Sequence, residues 1–165
     1  MVEQEPFKLL VQGSSPCAPT MKHKDVTYND KPYREETKRL WKDMGSNDWL
    51  VNGPVKDVDL VSTSYDVEVA FTTIQDNRRT EWRIEDRKLR YWKRKKPCHY
   101  VLFNKQKTKC IAVSDKKMRT WINKYDVEYR DCNGWKPEYC NFLIVPLTER
   151  VTKFKKINNK WTKCD

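Results

Sequence analysis

The stretch Val55–Phe71 reads VKDVDLVSTSYDVEVAF and combines two strand-like runs with four carboxylates. After the Ser-Thr-Ser tripeptide, every second residue from Tyr65 to Phe71 is apolar, while Asp66 and Glu68 lie between them. Successive side chains of a strand point to opposite faces, so the alternation predicts a strand with one apolar and one acidic face. The tripeptide predicts a tight turn back to a preceding strand, which makes the stretch a β-hairpin. Carboxylates are depleted from strands and costly to bury alone, so their concentration here needs an explanation.

Two segments near the hairpin have the pattern of helices. Residues 32–45 predict a helix because Pro32 suits a first turn, acids come early, basic residues come late and Gly45 can end it. Residues 85–96 predict a second helix with a dense basic face, and Pro97 terminates it.

The remaining segments complete one α/β domain with a mixed sheet flanked by helices. Residues 1–31 are interpreted as an extended or poorly ordered arm, and residues 32–165 as a single domain that ends in a basic tail from Thr152. A loop is expected at 72–83, strands at 99–104, 110–114 and 141–147, and a short helix or an irregular crossing from Asp115.

The charge of the chain favours a polyanionic partner. Its 34 Lys+Arg exceed its 23 Asp+Glu, which leaves a formal charge of +11. Basic groups that neutralise phosphates release counterions, so DNA is the partner we expect, although the same charge also suits a merely soluble surface. The aromatic residues Trp82, Tyr91 and Trp92 lie among the basic ones, and we expect Trp92 to be core. The candidate DNA-binding residues are Arg78, Arg79, Arg90, Lys93, Arg94, Lys95 and Lys96.

The apolar runs and the cysteines indicate an intracellular protein. The sequence has no apolar run near the roughly 20 residues of a membrane span, and its start lacks the basic residues of a signal peptide. We therefore expect a cytoplasmic protein without a membrane partner, in a host cell if the chain is viral. The six cysteines are then expected to be free thiols. A zinc site at Cys98, His99, Cys132 and Cys140 is the less favoured alternative, because the spacing is not that of a short knuckle.

The acids of the hairpin suit a magnesium site. Two carboxylates and a backbone carbonyl provide the hard oxygen ligands that Mg²⁺ prefers. A bound Mg²⁺ polarises a phosphodiester and lowers the pKa of a water molecule for attack, and a nearby lysine or arginine stabilises charge on the phosphate. A basic surface that attracts DNA and an acidic site that holds the metal would explain why both charges occur in one chain.

The order of elements resembles the core of the PD-(D/E)XK nuclease superfamily, the restriction-endonuclease-like fold. The resemblance covers roughly Tyr33 to Ser114, and its signature falls on Asp59 and on Glu68-Val69-Ala70. It implies a metal-dependent DNA endonuclease that acts on duplex or branched DNA, with Mg²⁺ (or Mn²⁺) held by Asp59, Glu68 and the carbonyl of Val69. It also implies a homodimer, and a supporting acid from the first helix, for which Glu35 and Glu36 are the candidates.

The chain departs from this pattern at one position. Ala70 stands where the signature has its lysine, so the basic catalytic group has to come from elsewhere. Some members of the superfamily take it from the following helix, where this chain has Arg87 and Lys88, with Lys88 the first choice.

Three alternatives stay open at this point. Asp66 and Glu68 could belong to the solvent-exposed face of a hairpin, with salt bridges to lysines. The chain could be a non-catalytic nucleic-acid-binding protein on the same fold, which the missing lysine favours. A protein-interaction module, of viral origin given the compact size, is the third. Asp57 is the acid we expect to stand apart, unless it replaces Asp59.

Overall fold

The computed structural model describes residues 23–72, 74–131 and 137–164, with the side chains of the first helix from Asp30 onward. This part of the chain forms a mixed α/β fold with helices and two β-sheets. The α-helices are α1 (His23–Asp43) and α2 (Asp115–Lys124), and 3-10 helices span Asp76–Arg78, Asp86–Lys93 and Pro137–Tyr139. The strands are β1 (Val51–Asn52), β2 (Leu60–Val61), β3 (Asp66–Thr72), β4 (Glu81–Glu85), β5 (Cys98–Asn104), β6 (Lys109–Val113), β7 (Val127–Tyr129), β8 (Asn141–Pro146), β9 (Thr152–Ile157) and β10 (Lys160–Cys164).

The larger sheet is mixed and has β3 near its centre. Its seven strands lie in the order β1-β2-β3-β5-β6-β9-β10. Strand β2 pairs antiparallel with β3, which confirms the predicted hairpin, and β3 pairs parallel with β5. The crossover between these parallel strands contains β4 and the 3-10 helix Asp86–Lys93, called here the long 3-10 helix. Strand β4 joins β8 and β7 in a second, three-stranded sheet.

Helix α1 covers the apolar face of β3. Val67, Val69 and Phe71 lie in one core cluster with Tyr33 and Leu40 of α1, as the alternating pattern predicts. The rings of Tyr33 and Phe71 stack with their centroids 4.0 Å apart. Burial of this face fixes the register of β3, because a shift by one residue would turn the acids toward the helix.

The opposite face of β3 is buried as well. Ala70 lies in a second core cluster, with the long 3-10 helix, α2 and strands of both sheets. Asp66 and Glu68 on this face are both buried, so the alternative of a solvent-exposed hairpin face is wrong. The sequence did not reveal this because the cover comes from β4 and the long 3-10 helix, whose many charged residues suggest a surface.

Helix α1 corrects the prediction that residues up to 31 form an extended arm. It begins at His23 and contains Pro32. A proline removes one backbone donor and crowds the carbonyl four residues earlier, which weakens a helix without always ending it. The predicted arm before residue 23 lies outside the described residues.

Three further predictions need correction. The predicted loop at 72–83 contains the start of β4, in which buried Trp82 and Ile84 alternate with charged residues. The helix predicted at 85–96 is a 3-10 helix. The predicted basic tail is the hairpin β9–β10, which completes the large sheet and buries Phe154 and Trp161. In β4, charged residues on the exposed side concealed a short apolar alternation, and β9 and β10 each contain one buried aromatic residue among charged neighbours.

Two expectations about the environment can be compared with the fold. In the part of the chain that the structure describes, neither α-helix has the length and apolar character to cross a membrane. Cys98, Cys110 and Cys164 are free thiols, while Cys17 and Cys132 lie outside the described residues.

Candidate metal centre

Two carboxylates meet on the buried acidic face of the β2–β3 hairpin. Asp59 directly precedes β2, and the pairing of Leu60 with Val67 places it across from Glu68. The backbone N–H of Val69 donates to Asp59 Oδ2 at 2.9 Å, which anchors the Asp59 side chain against β3. Both acids are buried, and only 2% of Glu68 is exposed. The hairpin thus brings together the two acids that the sequence singled out.

The loop before Asp59 is tightly folded. The N–H of Gly53 donates to the carbonyl of Asp59 at 2.9 Å. A Cβ atom at Gly53 would lie 1.9 Å from the carbonyl oxygen of Val58. A side chain at position 53 therefore forces the backbone on both sides of Val58 to move, and Asp59 moves with it.

We predict that Gly53→Ala lowers the free energy of unfolding by about 1–3 kcal/mol, the usual cost of overpacking, and also weakens Mn²⁺ binding. Urea denaturation and calorimetric titration measure the two effects. Gly45→Ala is the control, because Gly45 has open space around it and a φ of +78°, so its replacement costs stability through the backbone alone. Equal Mn²⁺ affinity in the two variants would contradict the prediction.

Lys88 reaches the acids from the long 3-10 helix. Its Nζ forms an ion pair with Glu68 Oε1, and its side chain is 13% exposed. Leu89, Tyr91 and Trp92 of the same helix are buried and hold it against the sheet. The sequence reasoning placed the missing lysine at Arg87 or Lys88, and the structure brings Lys88 to Glu68.

Arg87 points elsewhere. Its Nε pairs with Glu85 at the end of β4, and its guanidinium lies 5.6 Å from the ring centroid of Tyr139. These contacts hold the Arg87 side chain beside Glu85 and Tyr139, and the charge of Glu68 also acts on it.

Helix α1 adds two charged residues that the sequence reasoning missed. Arg34 Nη2 donates to Asp59 Oδ1 at 2.8 Å. Asp30 lies one turn earlier, and the charges of both Asp59 and Lys88 act on it. Burial, followed by the Asp59 charge, raises the pKa of Asp30 to about 7. Asp30 was overlooked because it was assigned to the arm; its spacing of four residues from Arg34 was the available signal.

Glu35 and Glu36, the predicted helix acids, lie on other sides of α1. Glu36 accepts a hydrogen bond from Trp161 Nε1 at 3.1 Å and pairs with Lys156 at 2.8 Å. Glu35 pairs with Lys38 on the surface at 2.9 Å. The structure therefore does not bring them to Asp59 and Glu68, and Asp30 is the acid of α1 on which the charge of Asp59 acts.

The other two acids of the hairpin pair with cations outside this cluster. Asp57 accepts from Arg94 Nη2 at 2.8 Å near the surface. Asp66 pairs at 2.6 Å with Lys96, which follows the end of the long 3-10 helix that carries Lys88. Asp57 thus stands apart, as expected, and Asp59 is the acid that faces Glu68.

The charges of the cluster are strongly coupled. Burial and the charge of Asp59 raise the pKa of Glu68, while Lys88 opposes this shift. Burial lowers the pKa of Lys88, but Glu68 and Asp59 outweigh it, so the net shift is upward and Lys88 keeps its proton. The raised pKa values of Asp30 and Glu68 mean that the cluster resists the ionisation of all its carboxyl groups, and a bound divalent cation would favour their ionised forms.

The raised pKa of Asp30 predicts a pH-dependent stability in the absence of metal. Its pKa is about 7 against a usual value of 3.8, so between these values the folded state binds more protons than the unfolded state. Stability therefore falls as the pH rises through this window. In chelator, Asp30→Asn should raise the melting temperature at pH 8 and lose this advantage near pH 4. Thermal melts of both proteins across this range check the sign, and a lower melting temperature of the variant at pH 8 would contradict it.

The donor set fits a hard divalent cation. The three carboxylates Asp30, Asp59 and Glu68 supply oxygen ligands, and Glu68 Oε2 is buried without a hydrogen-bond partner. The N–H and C=O of a strand residue point to the same side, so the Val69 carbonyl faces the side of Asp59. Among the described residues, no three His, Cys, Asp or Glu side chains are already arranged to hold a metal ion. Asp59 pairs with Arg34, and Glu68 pairs with Lys88.

The predicted DNA-binding residues differ in their exposure. Arg79 packs 4.6 Å above the ring centroid of Trp82 and is 11% exposed on its side chain, and Lys96 is half-buried beside Asp66. Trp82, Tyr91 and Trp92 are buried, so none of them offers a free ring face. The exposed members are Arg78, Arg90, Lys93, Arg94 and Lys95.

No protein-family model, curated protein or solved structure matches the chain. The geometry of the cluster is therefore the observation that bears on function.

Proposed function

We propose that the chain is a metal-dependent DNA endonuclease with a restriction-endonuclease-like core. The observation that carries the proposal is the meeting of Asp59, Glu68 and Lys88, which come from three separate segments. Surface lysines are abundant in this chain, but Lys88 pairs with a buried carboxylate and its own side chain is only 13% exposed. It could therefore replace the signature lysine that this chain lacks at Ala70. A burial of this cost is typical of functional sites.

The arrangement of elements also supports the proposal. Helix α1 covers one face of the hairpin β2–β3, and β5 continues the sheet parallel to β3 after a crossover. This is the helix–strand–strand–helix–strand order on which the sequence resemblance was based. The long 3-10 helix takes the place of the crossover helix and carries Lys88.

Each residue of the cluster has a distinct role in the proposed hydrolysis. Asp59, Glu68, the Val69 carbonyl and Asp30 would hold Mg²⁺ or Mn²⁺, which supplies Lewis-acid activation of the phosphodiester and of a water molecule. Lys88 Nζ donates hydrogen bonds that orient the attacking water and stabilise negative charge on the phosphate. Arg34 holds Asp59 in place through its 2.8 Å contact.

Incubation of the purified protein with linear, nicked and four-way-junction DNA tests the proposal. Reactions with Mg²⁺, Mn²⁺ or chelator are compared, with light scattering to measure the proposed homodimer. Cleavage that requires metal supports the enzyme, and DNA binding without cleavage under every metal condition would contradict it.

A non-catalytic DNA-binding protein on the same fold is the second candidate. The ion pairs of Asp59 with Arg34 and of Glu68 with Lys88 favour it, because they neutralise the acids without a metal. In that case, added Mn²⁺ would not raise the melting temperature, and Asp59→Asn would bind DNA with unchanged affinity.

A further inference from the structure

Trp49 is the most exposed large apolar side chain that the structure describes, with 83% of its surface accessible. It precedes the edge strand β1, where Val51 is also exposed. A free indole face is uncommon on a protein surface and offers a stacking partner for a nucleobase. The aromatic residues that the sequence analysis placed among the basic ones are buried and cannot serve this purpose.

Val51 lies on the same face of the large sheet as the metal centre, and Trp49 lies two residues before it. Val51 pairs with Val61, and Val61 pairs with Asp66 on the acidic face of β3. Leu50, between the two exposed residues, packs in the core under α1 and so points to the opposite face. The face of Glu68 therefore extends outward to Val51. Trp49 is exposed like Val51 and precedes the inward-pointing Leu50, directly before this edge strand.

Basic side chains of residues 90–96 lie along the hairpin that carries the metal centre, next to this edge strand. Lys96 Nζ donates to the carbonyl of Ser62 at 2.7 Å, beside the turn of the hairpin. Arg90 Nη2 donates to the carbonyl of Lys56 at 3.0 Å, in the loop that leads to Asp59. Lys93 and Lys95, between these two anchors, are exposed. The segment that carries Lys88 thus also presents positive charge along the edge formed by β1 and β2.

We propose that Trp49 and Val51 form a platform on which an unpaired base of DNA stacks, while the cations of 90–96 hold the backbone of the same strand. The proposal rests on the function proposed above and deepens it: the preferred substrate contains a single-stranded segment beside the bond to be cut. A base inside a duplex has no free face, so the platform discriminates between unpaired and paired DNA.

The positive charges around the platform favour DNA over a second copy of the chain as the partner that binds there. A homodimer through β1 would bring two sets of these cations together, and like charges in an interface cost several kcal/mol. DNA instead places its phosphates against them and releases counterions. A nucleic-acid strand therefore satisfies both the aromatic ring and its basic surroundings.

Fluorescence anisotropy with labelled DNA tests the platform. A single-stranded oligonucleotide and the matching duplex are titrated in chelator, so that binding is measured without cleavage. Trp49→Ala should weaken single-strand binding by about tenfold, the usual effect of removing one stacking side chain, and duplex binding by less than about threefold. Trp49→Phe should retain most of the affinity. Ile157→Ala, an exposed apolar residue in strand β9 next to the edge strand β10, is the matched control and should change neither affinity.

The salt dependence of the DNA affinity distinguishes the contribution of base stacking from that of phosphate contacts. Trp49→Ala should leave the slope of log affinity against log salt unchanged, whereas Lys93→Ala and Lys95→Ala should each reduce it by roughly 0.7, the value for one phosphate contact on a single strand. An oligonucleotide with one 5-iododeoxyuridine should crosslink to Trp49 on irradiation.

Two results would overturn the proposal. Equal weakening of single-strand and duplex binding by Trp49→Ala would show that the ring does not read unpaired bases. Unchanged single-strand binding by Trp49→Ala would show that no base stacks on the ring, and a lower melting temperature of that variant would then show that another part of the chain, or a second copy, covers it. Because the titrations use chelator, an absence of cleavage would count against the endonuclease without affecting this test.

Discussion

Glu68→Gln should abolish metal-dependent DNA cleavage while leaving the protein folded. Glutamine keeps the shape of the side chain but removes the negative charge that a divalent cation requires. Loss of a group that only supports a metal ligand costs about 10–100-fold, so loss of a ligand itself should lower the rate by at least roughly 100-fold. Initial rates of cleavage in Mg²⁺ and in Mn²⁺ measure the effect, and circular dichroism at the assay temperature verifies the fold.

Asp66→Asn is the matched control for this result. Asp66 lies two residues before Glu68, on the same face of β3, and is also buried in an ion pair, with Lys96. Its variant should cleave within a few-fold of the parent rate, because Asp66 does not face Asp59. If both variants lose cleavage equally, the loss reflects disturbance of the buried face and not removal of a metal ligand. If neither loses it, the metal site is elsewhere.

The strand that carries Glu68 was predictable from sequence because its pattern is strictly local. Alternation from Tyr65 to Phe71 determines which residues face α1, and the structure confirms that assignment. The choice of Asp59 over Asp57 came from the resemblance, and the observed hairpin register places Asp59 across from Glu68. The strand prediction depends on neighbours only a few residues apart, where period and turn chemistry are informative.

The burial of the acidic face was not predictable in the same way. Its cover comes from β4 and the long 3-10 helix, in which Trp82 and Leu89 turn inward among many charged neighbours. The pairing of β4 with β8 joins segments about sixty residues apart, and short-range patterns contain no information on such contacts. The charged residues of β4 made it look like a loop.

Asp30 was missed for a related reason. Pro32 suggested the start of a helix, and the residues before it were assigned to an arm, although α1 begins at His23. With the helix assumed to begin at Pro32, Glu35 and Glu36 were the acids nearest to its start, and they were therefore the candidates for the acid that supports the metal site. The face of α1 that meets Asp59 is decided by the packing of Tyr33 and Leu40 on the sheet, which only the fold reveals.

Lys88→Met should destabilise the protein by about 3–5 kcal/mol at neutral pH in chelator, the usual cost of breaking a buried ion pair from one side. Methionine fills most of the space of the lysine side chain but leaves Glu68 buried without its cation. The orphaned carboxylate then ionises only at a high energetic cost. Urea denaturation at pH 7.5 measures the loss.

The pH dependence of this loss identifies its cause. Burial and Asp59 already raise the pKa of Glu68, and removal of Lys88 takes away the charge that opposes them. The folded variant therefore holds the proton on Glu68 to a higher pH than the folded parent does. The deficit in stability should accordingly grow as the pH rises through the raised pKa of Glu68 in the parent, and it should be smallest below the usual value of 4.5. A deficit that is independent of pH would instead indicate a packing defect.

The double variant Glu68→Leu/Lys88→Met separates the cost of an unpaired charge from the value of the pair. Replacement of both partners by apolar residues of similar volume is often neutral or stabilising, because neither charge then needs to be desolvated. We expect the double variant to recover most of the stability lost in Lys88→Met. The coupling energy between the two substitutions should be well above the roughly 0.5 kcal/mol by which independent substitutions deviate from additivity. It should nevertheless be inactive in the cleavage assay. Stability regained while activity stays absent would show that the buried pair is retained for chemistry, since a chain selected only for stability would do as well with two apolar residues there.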